Sequence, residues 1–200
     1  MRLVLVRHGE PAAAARGRCY GKLDVALSPA GRRQVARAAE RLSSMPFAAI
    51  YASPRRRAHE SAALIAAERE LEVCIEEDFC EIDFGRFEGL TYDEVARRYP
   101  VEYQTWMERP TEVEFPGGES FARMRARVLN VTEKLRARHA GAAIVIVAHG
   151  GVNRIILADA LRMNSADIFR LEQSFAGTSV IDYYDRTPVV RCVNVTSEAW

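Results

Sequence analysis

No stretch of this sequence approaches the roughly 18 to 20 consecutive apolar residues of a membrane span, and its four cysteines, Cys19, Cys74, Cys80 and Cys192, form no CxxC pair. The first absence argues against a membrane protein. The short apolar run at Leu3–Val6 meets charge at Arg7 and carries no secretory pattern. The second removes paired zinc or dithiol signatures and, in an Arg-rich chain, favours reduced thiols and a cytoplasmic location. The cysteines are expected to be packing residues. An excess of one charge is missing too: 28 Lys and Arg against 27 Asp and Glu leave +1, so no global field selects nucleic acid or an anionic membrane. Repeats, low-complexity tracts and linkers are absent, and 200 residues with 48% hydrophobic content suit one domain, 1–200, with a sizeable core. Asn130-Val131-Thr132 and Asn194-Val195-Thr196 match the glycosylation tripeptide, which recurs by chance and has no meaning in a cytosolic chain.

What is present is an alternation of strands and helices. Leu3–Val6 and Ala142–Ala148 are continuous apolar runs of the kind a strand buried on both faces requires. Helices are expected over Pro29–Ser44 behind a Ser28 cap, with Val35, Ala39 and Leu42 on one face, and over Arg56–Glu68. Thr91-Tyr92-Asp93-Glu94 has the form of a capping box, and Pro116-Gly117-Gly118 precedes a long helix with Val128, Val131 and Leu135 aligned. Thr178–Tyr184 and Val189–Val195 read as closing strands joined through Asp185–Pro188. The pattern implies an α/β fold, a three-layer sandwich with a mostly parallel central sheet flanked by helices. Tyr99–Phe115 reads as irregular and aromatic, and about 90–118 is the candidate lid over a site.

Two apolar strands each end on histidine followed by glycine, in Arg7-His8-Gly9 and His149-Gly150-Gly151. Ligands of open α/β sheets bind beyond the carboxyl ends of strands, so both imidazoles are expected in one crevice. Glycine there admits close approach of backbone to an anion, and a helix starting near Val152 would direct its amides and positive dipole at it. Ser53-Pro54-Arg55-Arg56-Arg57-Ala58 puts guanidinium groups at a third strand end, and Glu81–Gly89 offers a carboxyl group to protonate a leaving oxygen. Singly, each piece has a plainer reading: a chance tripeptide, a solvated basic face, a surface carboxylate. His59 reads as a helix-surface residue, and His139 as a residue near a helix C-terminus whose charge suits the dipole.

Together these pieces, in this order, resemble the histidine phosphatase superfamily, the phosphoglycerate mutase-like fold, along the whole chain. The resemblance implies that His8 is a nucleophile phosphorylated in turnover, that Arg7, Arg57 and a protonated His149 hold the phosphoryl group with Gly150 at the helix start, and that Glu81 is the proton donor. Glu81 must then carry a proton when substrate binds, so activity is expected to be highest on the acidic side. The implied enzyme hydrolyses small phosphomonoesters with no metal or other cofactor, the fixed cations replacing Mg²⁺. Cys19-Tyr20-Gly21-Lys22-Leu23-Asp24 and Asp83–Gly89 are similar to the α-ribazole phosphatase subgroup of cobalamin assembly, departing from it at Lys22 and Leu23. Tyr20, Gly21, Phe84 and Trp106 are the candidate substrate contacts, with Phe87 and Tyr103 further aromatics able to stack on a flat base.

Four other readings stand beside this one. Phosphoglycerate mutase shares the first half-reaction, but its members continue the first motif with Ser-x-Trp-Asn and run longer, where this chain has Glu10-Pro11-Ala12-Ala13-Ala14. A non-catalytic phosphate-binding module has no use for a nucleophile aligned with an acid. Zinc lacks paired ligand spacing. Cys80–Arg86 fits C-x5-R, yet Glu81 and Asp83 would set carboxylates inside a loop that must cradle a dianion.

Overall fold

The computed structural model describes residues 1–67, 69–185 and 187–196. Among these residues six strands form one sheet: β1 (Arg2–Arg7), β2 (Ala49–Ala52), β3 (Val73–Ile75), β4 (Ala143–Ala148), β5 (Thr178–Tyr183) and β6 (Pro188–Val195). Their order is β3-β2-β4-β1-β5-β6, parallel from β3 to β1 and antiparallel at β5 and β6. The α-helices among the described residues are α1 (Pro29–Leu42), α2 (Arg56–Ala66), α3 (Tyr92–Arg98), α4 (Pro100–Glu108), α5 (Phe121–Arg138) and α6 (Gly150–Ala160).

The two continuous apolar runs are explained by burial on both faces. Leu3 and Leu5 of β1, with Ile144 and Ile146 of β4, pack under α5 and α6 against Val128, Val131, Leu135 and Ile155. Val4, Val6, Val145 and Val147 point the other way, under α1 and α2 against Val35, Ala38, Leu42 and Ile65. Strand alternation thus serves two cores, which makes the three-layer sandwich. Helix ends follow local chemistry: Ser28 accepts from the Gly31 amide at 2.9 Å, Ser120 from Arg123, and Thr91 and Glu94 form a reciprocal capping box.

Several expectations need correction. Tyr99–Phe115 is irregular only in its second half: Pro100–Glu108 forms α4, with Pro100 in the first turn, where its missing N–H costs nothing, while Arg109–Phe115 has no helix or strand. Tyr99, Tyr103 and Trp106, at helical spacing, pack on a third cluster of Cys19, Phe87, Val95, Val113 and Phe115. Helix α2 ends at Ala66; Glu68, placed at its end from the sequence, lies outside the described residues, as does Arg186 of the β5–β6 connection. Cys74 is exposed on the edge strand β3 rather than packed. Among the described residues no helix is long and apolar enough to cross a membrane.

Candidate active site

Sheet register sets the geometry. Arg7 of β1 lies level with Ala148 of β4, and Ala52 of β2 with Val147, so the residues after the three strands emerge side by side. The His8 amide donates to the Ala148 carbonyl at 2.9 Å, and the His8 and His149 ring centroids are 5.2 Å apart. Two histidines 141 positions apart in the chain, 149 less 8, thereby meet in one crevice.

His8 is 1% exposed, and its Nδ1 lies 2.7 Å from the Gly9 carbonyl oxygen. A carbonyl only accepts, so Nδ1 carries the proton and Nε2 keeps the lone pair a nucleophile needs. Burial, then Arg7 and Arg57, push the His8 pKa well below 6.5, which keeps the ring neutral. The same causes act on His149, with burial first and then Arg57, His8, Arg7 and Arg55, so a protonated His149 is not its resting state.

Arg57 is fully buried on α2. Its terminal nitrogens donate to the carbonyls of Leu23 (2.9 Å), Tyr20 (2.9 Å) and Gly21 (3.0 Å), and burial lowers its pKa against the opposing pull of Glu81. Arg7 donates to the Gln173 carbonyl and to the Tyr20 hydroxyl (3.4 Å) and lies over the Phe175 ring at 4.2 Å. Both guanidinium groups are thus held by neutral oxygens and keep their charge available. Arg7 Nε, Arg57 Nε and His149 Nδ1 are buried with no hydrogen-bond partner among the described residues. With these three residues on one cavity, the two guanidinium Nε–H donors and the His149 nitrogen beside a lone-pair imidazole form a cradle for a tetrahedral oxyanion.

Glu81 is brought in by the loop that the Cys19 and Glu88 backbones pair together. Its carboxylate accepts from the Gly151 amide in the first turn of α6 and from its own following amide at Ile82, each at 3.0 Å. A cavity of about 150 Å³ contains Arg7, His8, Arg57, Glu81 and His149. Tyr20 and Phe84 line it as expected. Trp106 does not; it stands behind, with its ring 5.3 Å from Tyr92 and 5.5 Å from Phe84. Gly21 takes part through its carbonyl to Arg57. A larger hollow of about 650 Å³ opens at the other end of the sheet around Met1, Phe47 and Asp182, away from both imidazoles.

Two of the strand-end glycines also make room for packing. A Cβ on Gly9 would sit 2.4 Å from the Gly31 carbonyl oxygen, so Gly9 lets α1 pack against the end of β1. A Cβ on Gly151 would sit 2.3 Å from Glu81 Oε1, so this glycine makes room for the carboxylate. Helix α6 begins at Gly150 rather than near Val152, which places its first amides at the crevice.

Sequence reasoning missed Arg18 and Tyr92, which line the cavity, and Phe175, which carries Arg7. From the sequence Tyr92 reads only as part of a cap; its place three residues after the segment Glu81–Gly89 is the available signal. Arg154 was missed too: it donates to the Leu171 carbonyl at 2.8 Å, and burial and Arg7 lower its pKa. Cys80 is no nucleophile, since burial raises its thiol pKa and its Sγ is directed at the Glu77 carboxylate, 3.8 Å away. His59 has no place in the cavity. His139 caps α5, as expected, with Nε2 2.9 Å from the Tyr51 hydroxyl; burial and then Arg138 lower its pKa.

A family model described as the histidine phosphatase superfamily (branch 1) matches residues 3–196, and the chain belongs to that family. Phosphoserine phosphatase 1 of Hydrogenobacter thermophilus is 35% identical over 196 residues, covering 98% of this chain and 93% of that protein. Among solved structures, Bacillus stearothermophilus YhfR matches with a TM-score of 0.93 at 27% identity, covering 98% of each chain. The alpha-ribazole phosphatase from Shigella flexneri matches at 0.91 and 26% identity, over 98% of this chain and 96% of that one. The protein is an enzyme of the histidine phosphatase class.

Proposed function

We propose that this chain hydrolyses small phosphomonoesters through a phosphohistidine at His8. The observation that carries the reading is the His8 tautomer: with Nδ1 tied to the Gly9 carbonyl, Nε2 is a neutral, lone-pair nitrogen in the cavity that the Arg7 and Arg57 guanidinium groups line. His8 Nε2 attacks phosphorus in line, and Arg7, Arg57 and His149 take the equatorial oxygens while charge redistributes. Glu81 gives a proton to the leaving oxygen and, as a carboxylate, then takes one from the water that cleaves the P–N bond. The positive charge of this cycle comes from fixed side chains. Among the described residues no three His, Cys, Asp or Glu side chains group as metal ligands, and EDTA is expected to leave turnover intact.

For the substrate, the 150 Å³ cavity favours a compact leaving group. Pockets for drug-sized ligands begin near 300 Å³, so a phosphorylated hydroxy-acid such as phosphoserine suits this site better than a benzimidazole nucleotide. The phosphoserine phosphatase of Hydrogenobacter supports the same choice. α-Ribazole 5′-phosphate is the second reading, favoured by the Shigella structure and by the aromatic lining at Tyr20, Phe84 and Tyr92. It requires the 90–118 segment to act as a lid that opens, since Tyr92 at the start of α3 borders the cavity. In either case the substrate is a soluble metabolite, in keeping with a cytoplasmic location.

The test is phosphate release from phosphoserine, α-ribazole 5′-phosphate, 3-phosphoglycerate and p-nitrophenyl phosphate, with excess EDTA, by wild type and His8→Ala. EDTA-resistant release that is lost in the variant supports the reading, and the preferred ester names the substrate class. Isomerisation of 3-phosphoglycerate without release would make the chain a mutase. Binding without turnover of any ester would make it a phosphate-binding module.

A further inference from the structure

We propose that Ser53 is a positioning residue that holds His149 in its Nδ1–H tautomer, so that His149 meets the phosphoryl group as a neutral hydrogen-bond donor and not as an imidazolium. The inference rests on the phosphatase reading and adds a residue and a protonation state to it. Ser53 is fully buried at the end of β2, and its Oγ lies 2.9 Å from His149 Nε2. That oxygen already accepts the Arg55 amide at 3.3 Å. Its single proton has two acceptors in reach: Nε2 at 2.9 Å and the Cys80 sulfur at 3.9 Å, a longer and weaker choice. A proton directed at Nε2 requires a lone pair there, and the remaining imidazole proton then sits on Nδ1.

Nδ1 is the nitrogen that is buried without a partner, the position an equatorial phosphoryl oxygen would fill. The opposite tautomer would turn a lone pair toward that oxygen and repel it. The charged and titratable groups facing His149 argue against a second proton: Arg57 from α2, His8 directly after β1, Arg7 at the end of β1 and Arg55 ahead of α2 all lower its pKa, after burial. Cys80, on the far side of Ser53, is kept a thiol by burial. Glu81, the carboxylate of the same cavity, accepts the Gly151 and Ile82 amides. Cationic charge at the site is thus left to the arginines, and His149 stays ready to donate across the pH range in which His8 is neutral.

The experiment is long-range ¹H–¹⁵N correlation NMR of the full chain with labelled histidines, His149 being identified by the signal lost in His149→Gln. At neutral and mildly acidic pH the wild type should show His149 protonated at Nδ1 alone. In Ser53→Ala the signal should move toward the Nε2–H tautomer or an average of the two, with kcat lowered about 10- to 100-fold as for other lost orienting partners. Ser53→Thr, which keeps the hydroxyl, should restore both. An imidazolium or an Nε2–H tautomer in the wild type would overturn the proposal, as would an unchanged tautomer in Ser53→Ala. The wild-type spectrum decides even if Ser53→Ala does not fold. It is also independent of turnover, so absent hydrolysis would count against the phosphatase reading alone.

Discussion

Gly151→Ala should separate catalysis from folding. The added Cβ would lie 2.3 Å from Glu81 Oε1 and 3.2 Å from Glu81 Cδ, with Met124 Cε at 3.0 Å. Ordinary contact for such atoms is about 3.3 to 4 Å, so the carboxylate must retreat by roughly 1 Å. The groups that must move are the ends of flexible side chains, and alanine favours a helix over glycine by about 1 kcal/mol. Stability should therefore stay within about 1 kcal/mol of wild type. Catalysis should not survive so well: a misplacement near 1 Å costs about 100-fold, or roughly 2.7 kcal/mol of transition-state stabilisation. On an alkyl ester such as phosphoserine, the loss falls on the first step, where the leaving oxygen needs the Glu81 proton. On p-nitrophenyl phosphate the phenolate leaves unaided, so stopped flow should record a burst of about one nitrophenolate per enzyme, then slow turnover while water lacks its base. Unchanged phosphoserine hydrolysis would refute the reasoning, as would equal losses on both esters without a burst in a folded variant.

Arg57→Lys replaces a fork that reaches three carbonyls with a single ammonium; we expect kcat/KM to fall about 100- to 1000-fold and stability by about 1 to 3 kcal/mol, read by steady-state kinetics and urea unfolding. Wild-type behaviour would deny Arg57 its place. Arg2 and Arg191 hold the Asp182 carboxyl well below its ordinary 3.8, so its contribution is present above about pH 4 and is lost as pH falls through the lowered value. Because both arginines are half-exposed, Asp182→Asn should cost only about 1 kcal/mol at pH 7, less at pH 3, and leave phosphate release unchanged. His8 and His149 have pKa values depressed by burial, so below about pH 6.5 the unfolded chain takes up protons that the folded chain refuses. Urea unfolding should show stability falling from pH 7 to pH 5, with a shallower slope in His149→Gln; a rise on acidification would contradict the shifts.

The parts of the fold that could be read from the sequence are those whose burial is simplest. β1 and β4 are flanked by cores on both sides, so every residue is apolar and no periodicity has to be disentangled. β3 escaped notice because it is three residues at a sheet edge, with Cys74 and Ile75 exposed. α4 escaped because its apolar stripe, Tyr99, Tyr103 and Trp106, is narrow and flanked by polar residues, and aromatics in such a setting read as loop. The candidate site was legible where a strand end carries its own signature, as at Arg7-His8-Gly9 and His149-Gly150-Gly151. The register that sets those ends level was not, and with it went Ser53, whose hydroxyl is meaningful only beside His149. The packing role of the glycines was hidden for the same reason, because close contacts such as Gly9 with Gly31 and Gly151 with Glu81 are tertiary.

The most direct test of the central claim is a rapid-quench experiment in excess EDTA with p-nitrophenyl phosphate radiolabelled at phosphorus. During turnover the account predicts label bound to the protein, stable to alkali and lost in acid as a phosphoramidate is, mapping to His8 and absent from His8→Ala. Steady hydrolysis with no labelled protein at any quench time, or label that persists in His8→Ala, would contradict it.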